Sequence, residues 1–148
     1  MKILNYALAL LFTLGMLSCG GGGGGSDETA PTVTFTSPST NASAPTKITA
    51  GQTIIFTGSI SDNKELKSIT FTNLAEKTKS VSDFLADFNG KLNSKKPASG
   101  SVLDKSEYNV NFSIETLAGA PANEYTMTCT VMDNSDNPTT KTFYIKVE

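Results

Sequence analysis

The 148-residue chain has no histidine, no arginine and no tryptophan. Each absence removes a class of chemistry. Without histidine there is no imidazole to shuttle protons, to ligate a transition metal or to activate a Ser or Cys nucleophile. Without arginine, all twelve basic residues are lysine, set against 14 acidic ones, for a net charge of −2. A mildly acidic chain that lacks guanidinium forks is not built to hold nucleic acid. Without tryptophan the largest aromatic surface for stacking on a sugar is missing. Cysteine is nearly absent too: Cys19 and Cys129 are the two present.

What is present begins with an export pattern. Lys2 supplies a charged start, an apolar stretch runs from Tyr6 to Leu17, and Ser18-Cys19 follows. The stretch falls short of the ~20 apolar residues needed to span a membrane and reads as a removable signal over residues 1–18. Met16-Leu17-Ser18-Cys19 resembles the lipobox of bacterial lipoproteins, although Leu stands one position nearer the cysteine than in the commonest form. The resemblance implies lipidation (palmitate) at Cys19, anchoring in the membrane through that lipid, and no intrachain partner for Cys129. Without Lys2, eleven lysines face 14 acids, a net charge of −3. Gly20 to Gly25 is an unbroken glycine run. Glycine loses the most backbone freedom on ordering, so residues 19–30 read as a flexible tether. Glycines followed by Ser26-Asp27-Glu28 resemble the start of Bacteroidota outer-membrane lipoproteins. That likeness implies an outer-membrane lipoprotein exposed at the cell surface.

From Pro31 to Glu148 the chain is one domain by size and β by pattern. Val33 and Phe35 share one face of a first strand that Pro38 ends. Ile54, Phe56, Gly58 and Ile60 align in Gln52–Ile60. Ser61-Asp62-Asn63-Lys64 forms a turn, and Leu66–Leu74 follows with Ile69 and Phe71 aligned. Tyr108, Val110, Phe112 and Ile114 alternate with polar neighbours. Tyr125, Met127, Cys129 and Val131 do the same, and after the turn Asp133–Pro138 the chain ends on Phe143, Ile145 and Val147. Tyr144 points outward. Cys129, in mid-strand on an inward face, reads as an inert core thiol.

The middle is ambiguous. Val81, Phe84, Leu85 and Phe88 form a helical stripe. Ser80 and Asp83 resemble a capping box, and Gly90 would be the terminator. Phe84, Ala86 and Phe88 also suit a strand, with Asn89-Gly90 as its hairpin turn. The helix is favoured. Asp83 and Asp87 lie four apart on it and read as a solvated face, since paired catalytic carboxylates need opposed elements. Lys91–Lys105 is polar and reads as a long loop.

About seven short strands, with a short helix inserted between them, give an all-β, immunoglobulin-like sandwich. Ala30–Pro38, Ala50-Gly51-Gln52, Ile60-Ser61-Asp62, Tyr125 and Val131-Met132-Asp133 before Asn137 resemble bacterial Ig-like domains. The chain resembles in particular the Ig-like domain of unknown function in Bacteroidota lipoproteins. That family usually has Gly before the Asn; here Asp136 takes its place. The resemblance implies a non-catalytic, lipid-anchored module for adhesion through an unidentified protein or glycan ligand. The alternative is a periplasm-facing structural or assembly accessory. In an Ig topology the turn after the second strand, the last hairpin turn and the start of the first strand meet at one end. That would gather Glu28, Asp62, Asn63, Asp133 and Asp136, an oxygen-rich set with the chemistry of a calcium site.

Overall fold

The structure is a computed structural model describing residues 27–76 and 82–148. The leader, Cys19, the glycine run, Ser80 and Val81 lie outside the described residues. The elements in order are β1 (Thr32–Ser37), β2 (Thr46–Ile48), β3 (Thr53–Phe71), β4 (Ala75–Glu76), α1 (Ser82–Lys95), a 3-10 turn (Ser99–Val102), β5 (Lys105–Glu115), β6 (Asn123–Asp133) and β7 (Pro138–Val147). Among the described residues no helix is long and apolar enough to cross a membrane.

The long strand β3 organises the fold. The sequence predicts two strands here, parted by a turn at Ser61–Lys64. The structure instead runs extended from Thr53 to Phe71 and shifts register between Ser61 and Leu66. Its first half pairs antiparallel with β1 (Val33 opposite Ile60) and with β5 (Phe56 opposite Phe112). Its second half pairs with β6 (Ile69 opposite Val131). One strand therefore serves both layers of the sandwich, and Asp62-Asn63 bends it without ending it. It stops at Phe71, short of the predicted Leu74. The second layer is completed by the β6–β7 hairpin and by β2, which adds in parallel to β7.

Period-two alternation decides which residues meet between the layers. Phe56 and Phe112 from the first layer stack with centroids 4.6 Å apart, and Phe71 and Phe143 from the second lie edge-on to Phe56 at 6.3 and 5.7 Å. Phe35 of β1 packs edge-to-face on Phe143 at 4.7 Å. Such offset and edge-on pairs contribute beyond the area they bury. Tyr125 is fully buried and donates its hydroxyl proton to the Pro121 carbonyl at 3.1 Å. A tyrosine hydroxyl donating to a carbonyl a few residues upstream also occurs as the tyrosine corner of Ig-type sandwiches.

The ambiguous middle resolves as a helix, and the hairpin alternative falls. The helix does not stop at Gly90, as predicted, but continues to Lys95. Phe84, Phe88 and Leu92 bury one stripe of it, which Leu92 extends by a turn. Phe84 lies 5.0 Å from the Tyr125 ring. The Leu74 N–H donates to Asn89 Oδ1 at 2.7 Å, and Lys96 reaches the Phe71 carbonyl at 3.3 Å. These partners stand at strand ends remote from Asp62 and Asp133, so α1 closes that far pole. The predicted loop at 91–105 is thus mostly helix and 3-10 turn, pinned by buried Val102. The Asp87 carboxylate is paired with Lys91 at 2.8 Å.

Candidate functional site

The pole opposite α1 is built from three segments. The first is the chain just ahead of β1, the second is the bend of β3, and the third is the β6–β7 turn. Asp133 closes β6 and is 1 % exposed. Its Oδ1 accepts the N–H groups of Ser135 and Asn137, both at 2.8 Å, and its Oδ2 accepts Asn137 Nδ2 at 2.7 Å. These three accepted hydrogen bonds give the buried carboxylate the partners that water would otherwise supply. Asp136 adopts φ +66° within this turn. Asp and Asn enter that left-handed region more readily than most residues, so Asp136 fills the place where the resembling family carries Gly.

Asn137 also holds the incoming chain, donating Nδ2 to the Asp27 carbonyl at 2.7 Å. Two residues on, Thr139 Oγ1 donates to the Pro31 carbonyl at 2.6 Å. Asp27 is consequently 8 % exposed. Its Oδ1 accepts the Thr29 N–H and Asn63 Nδ2, each at 3.1 Å. The Thr29 N–H, then the Asn63 amide and the Lys64 charge hold its carboxyl below the ordinary range. Asp62 accepts the Lys64 N–H through Oδ1 at 2.9 Å. Carboxylate oxygens of Asp27, Asp62 and Asp133 all lie within 4.8 Å of one another. An open groove of about 440 Å³, lined by Asp27, Lys64, Glu65, Asn134 and Ser135, leads to this cluster.

Of the five residues the sequence gathers here, the structure brings Asp62 and Asp133 into the cluster. Asn63 is an amide donor to Asp27. Glu28 is exposed and outside it, and Asp136 is exposed and ion-paired with Lys67. Asp27 was not among the five. It precedes the first strand, where no periodicity marks which side chain turns inward. The cluster offers oxygen donors alone, a chemistry suited to hard cations.

Cys129 is 0 % exposed, and burial pushes its thiol up to about 12. It is neutral at physiological pH and cannot serve as a nucleophile. Tyr144 is half-buried, beside Ala42 and Pro45 of the β1–β2 connection.

Comparison with known proteins adds the following. A search of curated proteins gives no match. Among solved structures, the chain is similar to the BIgI domain of beta protein from S. agalactiae bound to CEACAM1. Identity is 18 %, coverage is 80 % of this chain and 96 % of that one, and the TM-score is 0.46. A model of a domain of unknown function, DUF4625, matches residues 17–148. With that match spanning the sandwich from the approach to β1 through the end of β7, the chain belongs to the DUF4625 family.

Proposed function

We propose that this protein is a non-catalytic interaction module, anchored by lipid on Cys19 and presented on the outer surface of the bacterial envelope to a protein partner. The observation that carries this reading is the way the chain enters the fold. The bonds from Asn137 to the Asp27 carbonyl and from Thr139 to the Pro31 carbonyl fix the entry at the acidic pole. Eight residues lead from Cys19 to Asp27. If flexible, they reach roughly 15 Å, enough to lift the domain clear of headgroups while holding it by one end. The α1 pole and the outer faces of the sheets are then the surfaces presented.

The outer face of the first layer is polar and uncharged over Thr34, Thr36, Thr57, Ser59, Asn109 and Asn111. Beside them on the same strand, Ile55 is 52 % exposed. Tyr125 is buried, and Tyr108 and Tyr144 are partly covered, which leaves little aromatic surface for a sugar. Those features favour a protein partner over a glycan.

The test is protease treatment of intact cells with immunoblotting, alongside labelled-palmitate incorporation in wild type and Cys19→Ala. The expected result is loss of the mature band while a periplasmic control survives, with the label lost in Cys19→Ala. A band that survives until the cells are broken would assign the protein to a periplasm-facing accessory role instead.

A further inference from the structure

We infer that Asp27, Asp62 and Asp133 form a calcium site that clasps the incoming chain to the pole of the sandwich. Three carboxylates packed within 4.8 Å of one another repel. Lys64, whose charge acts on Asp27, is exposed and lines the groove. The independent observation is that Asp27 Oδ2 and Asp62 Oδ2 are both shielded from solvent and neither has a hydrogen-bond partner. Asp27 as a whole is more than nine-tenths buried. Buried carboxylate oxygens seldom go unpartnered, because each forfeits its hydration without return. The N–H donors that reach these carboxylates are engaged by their other oxygens: Thr29 and Asn63 by Asp27 Oδ1, Lys64 by Asp62 Oδ1, and Ser135 and Asn137 by Asp133 Oδ1. A cation accounts for the two remaining oxygens.

The donor set selects the ion. Calcium takes 6–8 oxygens in irregular geometry, with carboxylates binding through one or both oxygens, whereas magnesium demands a near-ideal octahedron. Three acids from separate segments, with water admitted through the groove, suit the first requirement and not the second. The set holds no thiolate or imidazole for a softer metal. Binding joins residue 27 to residues 62 and 133, so calcium would fix the direction in which the N-terminal segment leaves the domain.

The experiment is a calcium titration of the full-length chain, followed by calorimetry and thermal unfolding, with EGTA and magnesium as comparisons. The variants are Asp62→Asn, which keeps the oxygen that accepts the Lys64 N–H, and Asp136→Asn, which lies outside the cluster. We expect saturable binding by ~1 mM, the weak end for extracellular calcium modules, with a melting temperature raised by calcium and restored by EGTA. Asp62→Asn should weaken binding at least ~10-fold, one ligand charge in three being lost, while Asp136→Asn binds as wild type. Absence of binding heat and of any thermal shift overturns the site. An equal response to magnesium overturns the assignment to calcium, and an unchanged response in Asp62→Asn overturns the ligand set.

Discussion

Adjacent residues on β3 provide a sharp test of how the two layers face each other. Phe56 is 0 % exposed and in ring contact with Phe71, Phe112 and Phe143, whereas Ile55 is 52 % exposed and opposite Ser113. Truncating a buried Phe to Ala removes its transfer free energy and leaves a cavity, costing about 3–5 kcal/mol. Three aromatic contacts keep Phe56→Ala off the lower end of that range, at about 4 kcal/mol. For a domain of ~120 residues this lowers the melting temperature by roughly 12–20 °C. Ile55→Ala should shift stability by no more than ~1 kcal/mol. Because the chain has no tryptophan, urea unfolding is best followed by far-ultraviolet circular dichroism, with both variants compared at unchanged m-value. A one-residue slip of β3 would exchange the two faces and reverse the ranking. Equal losses, or a larger loss for Ile55→Ala, would refute the register and with it the packing between the layers.

Three further outcomes follow from the same packing. A Cβ on Gly58 would lie 2.5 Å from the Thr34 carbonyl oxygen and 2.6 Å from the Phe35 ring, whereas one on Gly90 meets nothing within 4 Å. Thermal unfolding should therefore show Gly58→Ala destabilised by about 2–3 kcal/mol and Gly90→Ala stabilised by up to ~1 kcal/mol. Tyr125→Phe keeps the ring but drops the bond to Pro121, and should cost about 1 kcal/mol in urea titration. Burial raises the Cys129 thiol from 9.0 to about 12, so the folded state holds a proton that the unfolded chain releases. The resulting contribution to stability is complete below pH 9 and is lost as pH rises toward 12. Alkaline unfolding of Cys129→Val should lack that component, and native Cys129 should resist iodoacetamide at neutral pH.

The strands that were legible in the sequence are those whose two faces differ in polarity. β1, β5, β6 and β7 each alternate cleanly, and their buried apolar residues are the predicted ones; Asp133, read as part of the turn, is instead the buried end of β6. The bend in β3 was misread because Asp62 and Asn63 carry turn chemistry at a place where the chain changes sheets without leaving the extended conformation. The extent of α1 was hidden by Gly90, a terminator by habit. Open space surrounds it, so the helix loses only propensity there, and Leu92 one turn beyond Phe88 rewards its continuation. Residues 96–104 gave no periodic signal because Val102 is their one buried apolar side chain. At the acidic pole, topology was enough to bring Asp62 and Asp133 together. The third member is set by Asn137 gripping the backbone of Asp27, a contact across 110 residues that no local pattern announces.

The directions of β1 and β7 have a mechanical consequence. Both strands start at the acidic pole and run toward the α1 pole, and β7, with ten residues at ~3.3 Å each, makes the module about 33 Å long. A load between the N-terminal segment and a partner gripping the α1 pole acts along the strands. It would pull β1 lengthwise against β3, straining the pairings from Thr32–Ser61 to Ser37–Thr57 together rather than one at a time. The short parallel ladder of β2 on β7, from Thr46–Ile145 to Ile48–Val147, lies next along the same segment and is loaded in the same sense. Tension applied through the N-terminal segment would therefore meet the domain in shear, with β1 as its force-bearing clamp.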